Sequence, residues 1–126
     1  MPDAKLIETF PTPTDAAIVI EHIAEEFTSL CPKTGQPDFG AVTVRFEPRA
    51  ARDGGVCVEL KSLKLYLQSF RNEGIFYEAV TDRIQGDLAR ALRPKWLQVH
   101  TAWRVRGGIR SVIRAESGDV PERYRA

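Results

Sequence analysis

The 126-residue chain has few of the residues that bind metals or build disulfide frameworks, since it contains only two cysteines and two histidines. Cys31 lies in a polar loop and Cys57 in an apolar, strand-like segment, which is a poor pattern for a disulfide and predicts reduced thiols. His22 and His100 are far from Cys31 in sequence and show no zinc-ligand spacing. We therefore expect no metal site.

Long apolar runs and an excess of one charge are also missing. No segment approaches the roughly 20 consecutive apolar residues of a membrane-spanning helix, and the net charge of +1 creates no overall field that would attract nucleic acid. We therefore expect neither a membrane partner nor a direct nucleic-acid partner. Residues 1–5 carry no basic leader and no apolar stretch follows them, so we expect a cytoplasmic protein.

The length of the chain and the position of its prolines predict a single domain. At 126 residues the chain can bury one modest core but not two. Residues 1–14 contain three prolines and show no sustained periodicity. We predict an N-terminal arm over residues 1–14 and one domain over residues 15–126.

Hydrophobic periodicity predicts an α+β fold. Helical spacing of apolar residues indicates one helix from Leu60 to near Gly74 and a second from about Phe76 to Leu92. The residues expected to be buried are Leu60, Leu63, Leu67 and Phe70 in the first helix, and Val80, Ile84, Leu88 and Leu92 in the second. One strand is predicted to begin at residues 18–20, and others lie near residues 41–47, 56–58, 97–105 and 109–115. This order favours an antiparallel four-stranded sheet with two helices on one face.

The loop over residues 31–38, Cys-Pro-Lys-Thr-Gly-Gln-Pro-Asp, has a thiol and a carboxylate at its two ends and nothing large and apolar between them. A thiol is nucleophilic only as its thiolate, and a nearby carboxylate can carry the proton. An ionised Asp38 would raise the pKa of Cys31 by repulsion, so the two groups are expected to titrate as a unit. From the loop alone, an inert buried thiol and a turn-forming aspartate remain alternatives.

This loop and three later segments together resemble a known enzyme family. The later segments are Val-Glu-Leu-Lys-Ser-Leu-Lys-Leu-Tyr at residues 58–66, Ser-Phe-Arg-Asn at 69–72 and Phe-Tyr-Glu at 76–78. In this order they resemble the short, single-module NADPH-dependent 7-cyano-7-deazaguanine reductases, the nitrile reductases of queuosine biosynthesis. The resemblance covers most of the chain, from about residue 18 to about residue 109.

The resemblance implies a reaction and an assembly. Cys31 would add as a thiolate to the nitrile carbon of 7-cyano-7-deazaguanine and form a thioimide, while Asp38 would deliver a proton to the nitrile nitrogen. Two NADPH molecules, used as co-substrate, would then reduce the adduct to 7-aminomethyl-7-deazaguanine. The fold implied is the tunnelling fold, in which subunit sheets join into a barrel. The homo-oligomer implied is a decamer of two pentamers with active sites at subunit boundaries.

The resemblance also assigns residues to the substrate. They are Tyr77 and Glu78, together with Val58, Glu59 and Leu60 from a neighbouring subunit. Glu78 begins the second predicted helix, where its carboxylate could accept both N–H donors of the guanine-like edge, although a role for the helix dipole alone is the alternative. Most members of the family have Phe-His-Glu where this chain has Phe-Tyr-Glu. Tyrosine is a weaker acid than imidazolium, so Tyr77 is assigned to the pocket and its catalytic role stays open.

The cofactor assignment depends on side chains. No Gly-x-Gly-x-x-Gly turn follows a strand, so a Rossmann site is not expected. Lys61 and Lys64 are about one helical turn apart and could face one anionic group. Arg106 adds a cation, and Gly107 adds a backbone that can approach a phosphate closely. For these charges a solvated surface is the alternative.

Three other functions fit parts of the pattern. An amidino-forming relative would use the same cysteine and aspartate on the nitrile but would need no hydride, and the Lys-bearing segment at 61–66 disfavours it. A zinc-dependent GTP cyclohydrolase would share the fold but would need a Cys/His metal set. A non-catalytic protein that binds a deazapurine or tRNA through the arginine-rich C-terminal part would have no need of the cysteine loop.

Overall fold

Two helices lie against one face of a four-stranded antiparallel sheet in the computed structural model, which describes residues 2–125. The strands are β1 Thr9–Pro11, β2 Ile20–Leu30, β3 Pro37–Glu47, β4 Val56–Val58, β5 Trp96–Trp103 and β6 Val112–Gly118. The helices are α1 Leu60–Gln68 and α2 Tyr77–Leu92, and three short 3-10 helices cover Ala4–Leu6, Ala51–Asp53 and Glu122–Tyr124. The α+β class and the antiparallel pairing predicted from the sequence are confirmed.

The main sheet has the strand order β2-β3-β5-β6, so β2 and β6 are its two edges. Alternate residues of β3 and β5 face the helices, and they pair as Val42 with Thr101 and Val44 with Val99. A second, two-stranded sheet joins β1 to β4, which the sequence did not predict. Its strand β1 comes from the predicted N-terminal arm and lies on the chain's own domain.

Several element boundaries differ from those predicted. β3 begins at Pro37, four residues before the predicted start, because a proline at the first position of a strand needs no N–H partner. β6 begins at Val112 rather than 109, because Gly107 and Gly108, with φ of 58° and 78°, form a tight turn closed by Arg106 and Ile109. α1 ends at Gln68, before the predicted end near Gly74, and turns follow it.

The predicted helix faces are confirmed except at one residue. Leu63, Leu67 and Phe70 are buried, as are all four apolar residues expected of α2. Leu60 was predicted to be buried, but it is 59% exposed, because it is the first residue of α1 and faces a surface groove beside β2. None of the helices described is both long and apolar enough to cross a membrane.

A buried carboxylate fastens the two helices together. Asp87 on α2 accepts a hydrogen bond of 2.6 Å from the hydroxyl of Tyr66 on α1, and it also pairs with Arg83 at 3.0 Å and Arg90 at 2.6 Å. Burial, and then the hydrogen bond to Asp87, raise the pKa of Tyr66, so the phenol stays protonated and donates. The network satisfies two polar groups that would otherwise be costly to bury.

We expect Asp87→Ala to lower the free energy of unfolding by about 2–4 kcal/mol, because it leaves the Tyr66 hydroxyl buried without a partner. Chemical denaturation at fixed protein concentration measures this. Asp82→Ala removes an exposed carboxylate from the same helix and should change stability by less than about 0.5 kcal/mol. Equal effects of the two substitutions would contradict a structural role for Asp87.

Candidate active site

The loop from Cys31 to Gln36 joins two paired strands and is held by its own backbone. The N–H of Cys31 donates to the carbonyl of Gln36 at 2.8 Å, and the N–H of Gly35 donates to the carbonyl of Cys31 at 2.8 Å. Gly35 has a φ of 71°, a conformation that glycine adopts without steric cost. Because Ser29 lies opposite Asp38 in the strand register, the loop brings the thiol back beside the carboxylate.

The segment that joins the helices is fastened to the same place. The N–H of Leu30 donates to the carbonyl of Glu73 at 2.9 Å, and the N–H of Ile75 donates to the carbonyl of Leu30 at 3.0 Å. These two bonds hold the residues before α2 alongside the end of β2. The first turn of α2, which contains Tyr77 and Glu78, therefore lies next to Cys31.

A cleft of about 260 Å³ forms where these elements meet. Its lining consists of Cys31, Pro32, Asp38, Phe76, Tyr77, Glu78 and Arg106. Five residues predicted for the site are thus brought together, and they supply a nucleophile, three other groups that can exchange or accept protons, and a cation. An apolar rim with a few convergent polar groups is typical of a small-molecule site.

Asp38 is the buried acid of the cleft, with only 6% of its side chain exposed. A carboxylate in that position needs a partner, and the guanidinium of Arg106 contacts it directly. Arg106 comes from the turn between β5 and β6, and its side chain is 48% exposed. The assignment of Arg106 to the cofactor stays a prediction, and its pairing with Asp38 was not predicted from the sequence.

Tyr77 is held flat against a buried tryptophan. Its ring stacks on Trp103 with 4.0 Å between centroids and an angle of 8° between planes. Trp103 is itself fixed, because its indole N–H donates to the hydroxyl of Thr101 at 2.9 Å. Burial, followed by the charge of Asp38, raises the pKa of Tyr77. Tyr77 therefore offers a neutral hydroxyl in the cleft at neutral pH rather than a phenolate.

Hydrogen-bond donors of its own loop lower the pKa of the Cys31 thiol. The hydroxyl of Thr34 has the largest effect, followed by the backbone N–H groups of Thr34 and Lys33, while partial burial and the charge of Asp38 act in the opposite direction. Donors that face sulfur favour the thiolate. The loop itself thus overcomes the repulsion from Asp38 that the sequence analysis expected.

The remaining predicted residues lie elsewhere in the subunit. Val58 is buried in the core, and the carboxylate of Glu59 caps α1 by accepting from the N–H groups of Lys61 and Ser62 at 2.8 Å each. Those N–H groups, Lys61 first, lower the pKa of Glu59, so its carboxylate is ionised. None of these residues lines the Cys31 cleft among residues 2–125.

The two candidate cofactor lysines are on an exposed part of α1. Lys61 and Lys64 are both exposed, and Lys64 lines a groove of about 520 Å³ between α1 and β2 together with Leu60 and Arg71. Gly107 is exposed in the turn beside Arg106. The lysines are therefore not brought to the thiol within one subunit.

Three contributors to the site were not predicted from the sequence. Thr34 fell within the polar loop, Phe76 at the start of the second predicted helix and in the Phe-Tyr-Glu segment, and Trp103 within a predicted strand, without a role at the site. The position of Thr34, three residues after the cysteine, was a usable signal, because a short loop can turn such a hydroxyl back to sulfur. Nothing local could indicate the stack of Trp103 on Tyr77, which joins residues of β5 and α2.

Comparisons with known proteins show the family to which the chain belongs. Residues 37–122 match the family model described as QueF-like protein. The chain is 52% identical over 116 residues to the NADPH-dependent 7-cyano-7-deazaguanine reductase of Anaeromyxobacter sp. (strain K), covering 91% of each chain. It is 50% identical over 108 residues to the protein of the same name from Rhodopirellula baltica, covering 85% of each. The chain belongs to this family. The resemblance predicted from its segments is confirmed.

A solved structure supports the fold. The structure titled archaeosine synthase QueF-Like in the apo form matches with a TM-score of 0.69, covering 87% of this chain and 99% of that chain. At 23% identity the likeness shows a shared fold and nothing about activity. The family member described here therefore has the QueF-like fold.

We expect Thr34→Val to move the ionisation of Cys31 to higher pH, because valine keeps the shape of threonine but cannot donate to sulfur. The rate of Cys31 alkylation by iodoacetamide, followed against pH by peptide mass spectrometry, measures this. Thr34→Ser keeps the hydroxyl and should leave the profile close to that of the wild type. A Thr34→Val profile identical to the wild type would show that the hydroxyl does not act on the thiolate.

Proposed function

We propose that this protein reduces the nitrile of 7-cyano-7-deazaguanine to the aminomethyl group with NADPH, as a step of tRNA queuosine biosynthesis. The observation that carries the proposal is the cleft in which a thiol with a lowered pKa lies beside a buried carboxylate. Relatives about 50% identical over nearly the whole chain carry the name of this activity. We assign catalysis to one domain over residues 15–126 and place the protein in the cytoplasm, where its two free cysteines would stay reduced.

In the proposed first step the cleft captures the nitrile. Asp38 accepts the thiol proton, the thiolate of Cys31 adds to the nitrile carbon, and Asp38 returns the proton to the nitrile nitrogen. One C–S bond forms, one π bond of the nitrile breaks, and no atom is lost, so the product is a thioimide. Proton delivery matters because negative charge would otherwise build on nitrogen without a donor beside it.

Two hydrides then complete the reduction. NADPH supplies each hydride, and each is accompanied by one proton. The first hydride adds to the thioimide carbon, so that Cys31 leaves as thiolate and an imine remains. The second hydride adds to the imine carbon while its nitrogen takes up a proton, which gives the aminomethyl group, and the other proton restores the Cys31 thiol. The protein's part is to hold the base, exclude water and move protons. Asp38 is the candidate proton carrier, and Tyr77 offers a neutral hydroxyl beside it.

Glu78 is the proposed partner of the base. Its carboxylate lines the cleft and lies in the first turn of α2, where the helix N-terminus favours negative charge. A carboxylate there can accept both N–H donors on the guanine-like edge. The thiol would then meet the nitrile at the opposite edge of the same base.

The cofactor and the rest of the substrate pocket are proposed to involve a second subunit. The cleft, at about 260 Å³, is smaller than the roughly 300–1,000 Å³ usual for small-molecule sites. Residues 58–60 are expected to complete it from a neighbour, and Lys61 and Lys64 with Gly107 are expected to hold the cofactor's anionic groups. The exposed cations along the groove beside α1 suit a phosphate-bearing ligand.

The proposed assembly is a decamer of two stacked pentamers. Strands β2 and β6 are the two edges of the main sheet, and each has one side without a strand partner among the described residues. Edge strands are usually covered or paired. Pairing β2 of one subunit with β6 of the next would continue the sheet into a closed barrel and bring α1 of one subunit toward the cleft of another.

We expect Cys31→Ala to abolish both the adduct and turnover while the assembly stays folded. The assay mixes the protein with 7-cyano-7-deazaguanine and follows nicotinamide absorbance and intact mass, with and without NADPH. Wild type should form a Cys31-linked mass without cofactor and oxidise two NADPH per aminomethyl product. Cys57→Ser is the matched control and should retain activity, because Cys57 is buried outside the cleft.

Two results would contradict this function. An adduct without any NADPH oxidation would indicate the amidino-forming chemistry instead. A fully active Cys31→Ala protein would exclude the thioimide mechanism.

We expect the double substitution Lys61→Ala and Lys64→Ala to raise the KM for NADPH by about tenfold or more, because each lysine would lose a charge-assisted contact with a phosphate. Adduct formation without cofactor should be unchanged. Steady-state NADPH oxidation measures the KM, and Lys95→Ala, which removes an exposed lysine after α2, serves as control.

The same double variant tests whether sites are shared. When it is co-expressed with Cys31→Ala subunits at equal amounts, about a quarter of the sites would combine an intact cysteine with intact lysines from the neighbour. Activity at low NADPH should then recover to that extent. No recovery in mixed assemblies would show that each subunit's lysines serve its own cleft.

A further inference from the structure

The guanidinium of Arg106 contacts the carboxylate of Asp38 directly, which joins the turn after β5 to the first residues of β3. Two backbone hydrogen bonds define the turn that carries Arg106. The N–H of Arg106 donates to the carbonyl of Ile109, and the N–H of Ile109 donates to the carbonyl of Arg106, each at 2.9 Å. The Asp38 side chain is almost fully buried, while about half of the Arg106 side chain faces solvent. The guanidinium of Arg106 therefore covers one side of the Asp38 carboxylate in the cleft.

Apart from Arg106, the residues that line the cleft with Asp38 are acidic or neutral. Cys31 from the loop and Tyr77 and Glu78 from α2 line the same cleft as Asp38, and Arg106 is the one cation that lines it within residues 2–125. From β2, the hydroxyl of Ser29 lies opposite Asp38 in the register and has no hydrogen-bond partner in the part of the chain described. Within the described residues, Arg106 is thus the one positive charge among a thiol and two carboxyl groups that line the same cleft.

We propose that Arg106 is a positioning residue for nitrile capture, which holds the Asp38 carboxylate beside Cys31 before the cofactor takes part. The inference rests on the proposed function and gives Arg106 a task other than the cofactor binding assigned from sequence. Held by the guanidinium, Asp38 keeps one oxygen directed into the cleft for proton transfer. The same charge offsets the repulsion between Asp38 and the thiolate.

The two tasks can be separated because capture needs no cofactor. A residue that only binds NADPH would leave the rate of adduct formation without NADPH untouched. A residue that holds Asp38 would change that rate and its pH dependence. Since the charge of Asp38 raises the pKa of Cys31, loss of the offsetting guanidinium should move thiolate formation to higher pH.

The experiment measures adduct formation with 7-cyano-7-deazaguanine in the absence of NADPH, by time-resolved intact mass across pH. We expect Arg106→Gln to slow the adduct by about 10- to 100-fold at neutral pH, because a misplaced proton carrier loses that much. Its pH profile should move to higher pH. Arg106→Lys keeps the charge and should restore part of the rate.

Arg110→Gln is the matched control, because it removes an exposed arginine near the same turn but outside the cleft lining. Its adduct rate should equal that of the wild type. Circular dichroism and thermal melting check that Arg106→Gln is folded. If it is not, the adduct rate and pH profile of Arg106→Lys are compared with those of the wild type instead.

Adduct formation by Arg106→Gln at the wild-type rate and with the wild-type pH profile, with only the KM for NADPH raised, would overturn the proposal in favour of a cofactor role alone. If the wild type itself forms no adduct, the proposed function fails. Iodoacetamide alkylation of Cys31 against pH then still decides the matter, since an unshifted profile in Arg106→Gln would overturn the role of Arg106 independently.

Discussion

The two backbone hydrogen bonds of Leu30 to Glu73 and Ile75 are the constraint on which the cleft depends. Strand β2 belongs to the sheet, and the segment 73–75 belongs to the connection between the helices, so these bonds join the two layers at one point. Cys31 follows Leu30 directly, and the first turn of α2 follows Ile75 within two residues. The nucleophile and the helix N-terminus thus come together through the main chain, which leaves side chains in the cleft free for chemistry.

A thiolate and a carboxylate in one cleft repel each other, and neighbouring groups reduce this repulsion. Two anions in contact would repel, and one would take up a proton. Here the donors of the loop act on Cys31, and Arg106 acts on Asp38, so each group has its own stabilising partner. The proton can then pass between them without a large change in the charge of the site, which favours a pair that must both take up and release it.

Much of the fold could be predicted because its signals are local. The apolar stripe from Val80 to Leu92 identifies α2 by spacing alone, and the polar loop 31–38 identifies the reactive segment. The contacts that complete the site are not local: Arg106 and Asp38 are 68 residues apart, and β1 pairs with β4 across most of the first half of the chain. Leu60 shows a further limit, because helical spacing cannot tell that the first residue of a helix faces a surface groove. Periodicity describes one element at a time, whereas ion pairs and edge pairings depend on how elements are placed.

Tyrosine at position 77 leaves more of the proton transfer in the cleft to Asp38. A histidine there could carry a proton at neutral pH, whereas the pKa of Tyr77 is raised by burial and by Asp38, and its ring is fixed against Trp103. Its hydroxyl can donate a hydrogen bond, but it does not take up an extra proton to become a cation as histidine does. In the proposed mechanism, proton delivery in both the capture and the reduction steps then falls to Asp38, because the other carboxylate of the cleft, Glu78, is engaged with the base. Asp38 can act repeatedly only if it returns to the same position as a carboxylate after each proton transfer. The guanidinium of Arg106 can hold it there, because it reaches Asp38 from a separate turn and does not occupy the place of the substrate.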